Sequence, residues 1–185
     1  IAYQGFGDGL EEDAKGLQHM ANNVEEMLIT TSCSKNFGLY RERTGAAIVI
    51  GKNSEHVSNA KGKLLTLARS TYTMPPDHGA ALVKTILQNQ ELTSIWKQEL
   101  SEMQQRLLNL RQSLCDELRN TYNTSQFDFI ESHKGMFTVL GFKETQMNQL
   151  REEYGVYGVG DGRINIAGLS AVSYTHLTLP TKQDV

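Results

Sequence analysis

The sequence is poor in several features that mark specialised classes of protein. Its 185 residues include two cysteines and three prolines, and the formal net charge is −3. Cys33 and Cys115 offer neither a disulfide framework nor a metal-ligand spacing, so we expect reduced thiols, no metal site and a cytoplasmic protein. The weak acidity argues against a general nucleic-acid surface, which needs clustered Lys and Arg. No apolar run is long enough to span a bilayer, so we expect no membrane segment.

The two ends of the sequence differ in character from the rest. Ile1 to Phe6 has the pattern of a strand end that runs into a glycine-rich loop, so we expect the chain to be the later part of a longer one. Residues 170–185 show no helical period and only poor alternation. We interpret them as a non-native tail of the kind left by translated adapter sequence, and the alternative is a genuine short strand.

Between the ends, helical and strand patterns alternate, which predicts an α/β or α+β protein. Strands are predicted where β-branched and aromatic residues cluster, at 26–31 (as a buried strand), 45–50, 127–130, 135–140 and 163–168. Shorter helices are predicted from amphipathic patterns at 10–20, 54–69, 79–87 and 145–154, the last with Thr145 as its N-cap.

The clearest periodic signal predicts one long helix. Its apolar residues recur at steps of three and four and form one stripe, composed of Trp96, Leu100, Met103, Leu107, Leu110, Leu114 and Leu118. The charged and amide residues between them, including Arg106 and Arg111, are assigned to the side that faces solvent. A coiled coil is the alternative, but we interpret the stripe as a helix packed within a globular protein or bridging two domains.

A lysine follows the predicted strand 26–31 in a segment rich in hydroxyl groups, Ser32-Cys33-Ser34-Lys35. Such a lysine can be an ordinary surface residue on a loop, or its neutral amine can attack a carbonyl and form a Schiff base. In the second case the Ser32 and Ser34 hydroxyls would donate to a phosphate, and Arg43 would balance its charge. The motif alone leaves both interpretations open.

Five segments, in the right order and spacing, resemble class I aminotransferases, and most closely the bacterial aspartate and aromatic-amino-acid branch. They are Ala2–Phe6, Ser32–Gly45, Tyr72–Gly79, Gly135–Phe137 and Gly162–Gly168. The resemblance implies an α/β fold, the C-terminal part of a pyridoxal-phosphate-dependent transferase. Residues 1–101 would be the end of the large mixed-sheet domain. A long inter-domain helix would lead into a small α/β domain at 102–169.

The resemblance also implies which residues hold the cofactor, pyridoxal 5′-phosphate. Lys35 would bind it covalently as a Schiff base and would move a proton during the reaction. The Tyr3 hydroxyl would bond its phenolic oxygen, and Ser32 and Arg43 would bind its phosphate. Tyr72 would contact the cofactor phosphate of a partner subunit. Tyr3 could instead be an ordinary core aromatic, and Arg43 a surface ion pair.

Three further residues would bind the substrate. Arg163 would clamp its α-carboxylate, a bidentate task suited to a guanidinium. Arg69 would reach across a dimer interface to the side-chain carboxylate, and Phe137 would line the site wall. The alternatives are that Phe137 is a core aromatic and that Arg69 only stabilises its helix, as a cation near the negative C-terminal end of the helix dipole.

The implied reaction moves an amino group between L-aspartate, or an aromatic L-amino acid, and 2-oxoglutarate in a homodimer that shares its active sites. In this family an aspartate pairs with the pyridine nitrogen of the cofactor. It is expected immediately before Ile1, so we expect this chain alone to be inactive. Two alternatives stay open: a lyase or decarboxylase that uses the same cofactor and fold, and a non-catalytic module on the same scaffold.

Overall fold

The computed structural model describes residues 1–170, so the predicted tail lies outside the described residues except for Ser170. Helices and strands alternate, and the fold is α/β. The helices are α1 (Leu10–Asn23), α2 (Ser54–Thr71), α3 (His78–Gln88), α4 (Gln90–Tyr122), α5 (Phe129–Ser132) and α6 (Glu144–Tyr154). The strands are β1 (Met27–Ser32), β2 (Gly45–Ile50), β3 (Phe137–Val139) and β4 (Arg163–Asn165), and a 3-10 helix follows at Ile166–Gly168. Among the described residues, no helix is long and apolar enough to cross a membrane.

The chain divides into two compact units. The first is Ile1–Ser101, and the second begins at Glu102. The first unit contains α1, β1, β2, α2, α3 and the start of α4, and the second contains the remaining elements. The assignment of residues 1–101 and 102–169 to the large and small domains of the resembled fold stays a prediction.

In the first unit, β1 and β2 form an antiparallel pair with a register from Met27↔Ile50 to Ser32↔Gly45. The prediction that the first of these strands is buried is wrong for the described chain. Ile29 is buried, but Leu28 is 61% exposed, and Ile48 on β2 is 47% exposed. The reason is that the described sheet has two strands, and an apolar run shows only that a strand suits burial, not that a layer covers it.

The predicted long helix is confirmed as α4, and its apolar stripe is partly buried. Leu100, Leu107 and Leu114, spaced seven residues apart, are 2–5% exposed. The assignment of Arg111 to the solvent side is wrong, because this side chain is 1% exposed. Its position explains the error. Arg111 lies four residues after Leu107 and three before Leu114, so helical geometry places it on the stripe.

In the second unit, β3 and β4 pair antiparallel, with Phe137↔Asn165, Thr138↔Ile164 and Val139↔Arg163. Residues 127–130 were predicted as a strand, but 127 and 128 lie in a turn, and 129 and 130 form the start of α5. The fully buried Ile130 explains both the apolar pattern and the error, since a short apolar run suits one buried helical turn as well as a strand.

The ends of two elements in the second unit differ from prediction. α6 begins at Glu144 with Lys143 as N-cap, and the Gln146 side chain accepts a 3.0 Å bond from the Lys143 N–H, so Thr145 is not the cap. The predicted strand 163–168 ends at Asn165. Its side chain accepts a 3.0 Å bond from the Ala167 N–H and starts the 3-10 helix.

Candidate functional site

The loop that carries Lys35 connects β1 to β2, and their register brings its two ends together. Ser32, the last residue of β1, lies opposite Gly45, the first residue of β2. The Cys33 N–H continues the pairing with a 2.9 Å bond to the Thr44 carbonyl. Arg43 directly precedes this pairing, so the sheet places Ser32 and Arg43 at the same end of the two strands although they are distant in sequence.

The Lys35 amine lies over two aromatic rings. Its Nζ is 5.3 Å from the centroid of Tyr3 and 4.8 Å from that of Tyr40, distances typical of cation–π contacts. Beside it, the Ser32 hydroxyl donates to the Ser34 hydroxyl at 3.0 Å and accepts from the Ser34 N–H at 3.1 Å. Tyr3 is 43% exposed, so it is not an ordinary core aromatic here.

Arg43 has a left-handed backbone, with φ of 54°, and its exposed Nη1 donates to the Tyr40 carbonyl at 2.9 Å. The segment before β2 packs closely on the start of α3. A Cβ added to the buried Gly79 would overlap the Thr44 hydroxyl and lie 2.7 Å from the Glu42 Cβ. Glycine at this position therefore permits the close approach that supports the Arg43 segment.

Asp13 holds the loop that follows Tyr3. Its Oδ2 accepts from the N–H groups of Gly5 and Gly7 at 2.8 and 2.9 Å, and its Oδ1 accepts from the Asp8 N–H at 2.8 Å. Partial burial acts to raise the pKa of the Asp13 carboxyl, but these backbone donors outweigh it, and the net pKa is lowered. The carboxylate is thus stabilised in its charged form and closes the loop at the start of α1.

The start of α4 connects the Tyr3 and Lys35 loops. The Trp96 Nε1 donates to the Asn36 carbonyl at 2.7 Å, and the indole stacks on Phe37 with centroids 4.4 Å apart and planes 8° apart. The buried Asn36 Nδ2 contacts the Gln4 carbonyl at 3.4 Å. Asn36, directly after Lys35, is therefore bonded both to α4 and to Gln4, which directly follows Tyr3.

In the second unit, Arg163 and Phe137 lie side by side on the β3–β4 pair. The Arg163 Cζ is 5.4 Å from the Phe137 ring centroid. The Arg163 N–H donates to the Asp161 Oδ1 at 3.0 Å, and its Nε is 3.9 Å from the Asp161 Oδ2. Phe137 is 36% exposed, so it is not a core aromatic. An exposed guanidinium against an aromatic face can donate two parallel hydrogen bonds to a carboxylate.

Arg69 and Tyr72 lie at the C-terminal end of α2 and belong to neither of the loops that carry Tyr3 and Lys35. Arg69 is in the last turn of the helix, and Tyr72 is its C-cap, with its N–H bonded to the Ala68 carbonyl at 3.0 Å. Both side chains are exposed. Residues that are three positions apart at the end of a helix lie on the same face. That Arg69 and Tyr72 bind substrate and cofactor in a partner subunit stays a prediction.

The structure thus brings Lys35 next to Tyr3 and places Ser32 and Arg43 at one end of the sheet. Arg163 and Phe137 adjoin each other in the other unit. The model for the family "Aminotransferase class I and II" matches residues 1–178.

The chain belongs to this family.

Curated relatives of this aminotransferase-family chain carry related names. It is 47% identical over 170 residues to an aromatic-amino-acid aminotransferase of Paracoccus denitrificans, covering 92% of this chain and 43% of the relative. It is 45% identical over 170 residues to an aspartate aminotransferase of Escherichia coli K12, with the same coverage. The chain therefore spans less than half the length of these relatives.

Solved structures of the family share the fold. An aromatic-amino-acid aminotransferase of Burkholderia pseudomallei, covalently bound to pyridoxal phosphate, is 36% identical, with a TM-score of 0.90 over 97% of this chain and 45% of that one. An aromatic amino acid aminotransferase with 3-indolebutyric acid is 44% identical, with a TM-score of 0.90 over 98% of this chain and 46% of that one. These likenesses confirm the α/β transferase fold, of which this chain is a part.

Several residues that shape these surroundings were not predicted as functional from the sequence. Tyr40 lies in the Ser32–Gly45 segment, but its contact with Lys35 was not predicted, and Trp96 was predicted only as a residue of the apolar stripe. Asp13 carried one available signal, since Asp in the first turn of a helix that follows a glycine-rich loop suits backbone N–H donors. The Trp96–Asn36 bond joins residues 60 positions apart, and no local pattern reveals it.

Proposed function

We propose that the whole protein is an aminotransferase that uses pyridoxal 5′-phosphate and moves an amino group between L-aspartate, or an aromatic L-amino acid, and 2-oxoglutarate. One observation carries the proposal: in a chain of this family, Lys35 follows a hydroxyl pair at a strand end and lies over the Tyr3 ring. The aminotransferase names of the relatives support it over a lyase, a decarboxylase or a non-catalytic module.

The residues present fit the cofactor by the chemistry of their donors. A phosphate group needs several donors and positive charge, and the strand end offers the Ser32 and Ser34 hydroxyls and the Arg43 guanidinium. A guanidinium has five N–H donors, so its bond to the Tyr40 carbonyl leaves capacity for an oxyanion. Lys35 would hold the cofactor covalently, and Tyr3 would bond its phenolic oxygen.

When bound, pyridoxal phosphate supplies an electron sink for the carbanion formed at the substrate Cα. The chain's own residues bind the substrate, orient it and move its proton. Lys35 would take the proton from the substrate Cα as a general base and would pass it, as a general acid, to the C4′ carbon of the cofactor. Arg163 would hold the α-carboxylate and so fix the direction of the Cα–H bond, while Phe137 would limit how the Arg163 guanidinium swings.

We further propose a cytoplasmic homodimer in which Arg69 binds the side-chain carboxylate of a dicarboxylic substrate in the partner subunit, and Tyr72 contacts the partner's cofactor phosphate. The exposure of both side chains at the end of α2 supports this, since a residue that serves another subunit must reach the surface of its own. The free thiols of Cys33 and Cys115 suit a reducing compartment. The 185-residue chain by itself is expected to be inactive.

The proposal is tested by substituting Lys35 in the whole protein. Lys35→Ala should abolish covalent attachment of pyridoxal phosphate, measured by mass after borohydride reduction. It should lower aspartate–2-oxoglutarate turnover by a factor of about 100 to 10,000, the usual contribution of a general base. Lys52→Ala is the matched control, because Lys52 is a half-exposed lysine paired with Glu25 at the other end of β2.

Attachment at Lys35 should be complete in the Lys52→Ala variant and absent from the Lys35→Ala variant. Attachment at a lysine other than Lys35 would refute the assignment of the residue. Release of CO₂ or of an eliminated side chain, without formation of a new amino acid, would refute the transaminase and indicate a decarboxylase or lyase.

A further inference from the structure

Arg111 is a buried cation whose partners are all uncharged. It is 1% exposed, and its guanidinium donates only to carbonyl and hydroxyl oxygens among the bonds that the structure shows. Burial lowers the pKa of the guanidinium from its usual value, although arginine stays charged in proteins. Burial of a charge is costly unless hydrogen bonds compensate for the lost solvation. The structural effect of the Arg111 hydrogen bonds therefore depends on where their acceptors lie.

All its acceptors lie in residues 130–138, which run from α5 through a turn into β3. Nη1 donates to the Ile130 carbonyl at 3.2 Å and to the Thr138 hydroxyl. Nη2 donates to the Gly135 and Phe137 carbonyls at 2.8 Å each. The planar guanidinium of Arg111 therefore holds the backbone on both sides of the turn that precedes β3. Charge-assisted bonds of this kind are roughly twice as strong as neutral ones.

This segment is the immediate support of the Arg163 side chain. β3 pairs with β4 so that Val139 lies opposite Arg163 and Thr138 lies opposite Ile164. The ring of Phe137, whose carbonyl Arg111 binds, faces the Arg163 guanidinium at 5.4 Å. β3 and β4 have only three residues each, so few hydrogen bonds join the two strands. The Arg111 hydrogen bonds therefore add rigidity to this short pair.

We propose that Arg111 is a positioning residue for the carboxylate-binding guanidinium of Arg163. It fixes β3 and the Phe137 ring, and through them the direction in which Arg163 meets the α-carboxylate of the substrate. This inference rests on the proposed function, in which Arg163 binds that carboxylate. Arg111 itself touches neither substrate nor cofactor, so it acts through binding geometry rather than through the chemical step.

The test uses the whole protein and the unreactive dicarboxylate succinate as probe. Arg111→Lys keeps the charge but loses the planar guanidinium, and Thr138→Val removes one acceptor without a change in shape. Each should weaken succinate binding about tenfold, or about 1.4 kcal/mol. The KM for aspartate should rise similarly, while kcat and the amount of covalently attached cofactor change little.

Arg119→Gln is the matched control for general destabilisation. Arg119 lies two turns further along α4, and its ion pairs are with the carboxylates of Asp116, Asp128 and Glu131, none of which is in β3. Its loss should lower the melting temperature but leave succinate affinity within about twofold of the wild type. All variants are compared at a temperature where circular dichroism shows them folded.

The outcomes separate this inference from the proposed function. If Arg163→Lys weakens succinate binding and both Arg111→Lys and Thr138→Val leave it unchanged, the inference is wrong and the proposed function stands. An equal weakening by Arg119→Gln would also overturn it, because the effect would then follow from stability alone. If Arg163→Lys leaves succinate binding intact, the assignment of Arg163 fails, and the inference fails with it.

Discussion

Asp13, an anion, and Arg111, a cation, are single side chains that each hold a backbone segment in place through hydrogen bonds. Asp13 accepts from three N–H groups of the loop between Tyr3 and α1. Arg111 donates to three carbonyls of the segment before and within β3. Both loops carry residues proposed to contact cofactor or substrate. At the residue scale, the order of the site therefore depends on charged groups that are not part of its chemistry.

Asp13→Asn should destabilise the whole protein by about 1.5–3 kcal/mol at neutral pH, since it replaces bonds to a charged acceptor with weaker ones. The native pKa of Asp13 is lowered, so the unfolded state binds its proton first as the pH falls. Its contribution is therefore present above the ordinary value of 3.8 and is lost as the pH falls through the native pKa. Urea unfolding followed from pH 7 down to about 2 measures this loss.

The control for Asp13 is Glu11→Gln, which removes an exposed carboxylate from the same first turn of α1. Both substitutions weaken the interaction with the helix dipole, but only that of Asp13 removes the loop bonds. Equal losses of stability in the two variants, with the same dependence on pH, would show that the loop bonds contribute nothing.

α4 is the element that organises the surroundings of Lys35 in the first unit. Trp96 holds Asn36 and Phe37, and one turn later the buried Leu100 packs on Gly5, where an added Cβ would lie 2.5 Å from the Leu100 Cδ2. Gly5 also has φ of 97°, which favours glycine. The first turns of α4 therefore act as a platform for two loops.

Trp96→Phe should keep the aromatic stack on Phe37 and remove the N–H donor to Asn36. We expect a loss of about 1 kcal/mol in unfolding free energy, the usual net value of one hydrogen bond, and weaker retention of pyridoxal phosphate. Equilibrium unfolding and cofactor release by dialysis measure the two effects. Trp96→Leu, which removes both the bond and the stack, should cost more. If Trp96→Phe matches the wild type in both assays, the hydrogen bond does not order the Lys35 loop.

At the scale of the whole molecule, the proposed roles are distributed over two units and, by proposal, two subunits. Lys35, Tyr3, Ser32 and Arg43 belong to the first unit, and Arg163 and Phe137 to the second. Arg69 and Tyr72 belong to the first unit as well but are proposed to serve the partner. If Arg69 and Tyr72 serve the partner, activity requires the dimer as well as a correctly folded subunit.

Mixed dimers test this division. Lys35→Ala and Arg69→Leu homodimers should each lose at least about 90% of aspartate turnover. If Arg69 serves the partner subunit, a hybrid dimer of the two variants has one site with both residues intact, and mixing by unfolding and refolding should restore turnover.

The control mixture is Lys35→Ala with Arg163→Lys, since Arg163 is proposed to act within its own subunit and no intact site can form. Turnover that returns in this control, or fails to return with Arg69→Leu, would contradict the assignment of Arg69 to the partner.

The sequence by itself determined the elements with strong local signals and the family to which the chain belongs. The recurrence of apolar residues at steps of three and four from Trp96 to Leu118 predicted α4. The apolar run 45–50 predicted β2 with its observed bounds, because periodicity and strand propensity are local properties. The motif around Lys35 left a surface lysine and a Schiff-base lysine open, and only the resemblance of five segments to one family implied the second. The structure places Tyr3 beside Lys35, and the role of Lys35 stays a proposal.

Only the tertiary structure decided the contacts that depend on which surfaces meet. The sequence assigned Arg111 to solvent because it is charged, whereas its burial depends on carbonyls up to 26 positions away. Phe127 to Ile130 became a turn and a short helix because Ile130 fills the core of the second unit, and β1 stayed half exposed because one strand pairs with it in the described chain. Burial energy and hydrogen-bond partners are properties of the folded neighbourhood, and local sequence carries no measure of either.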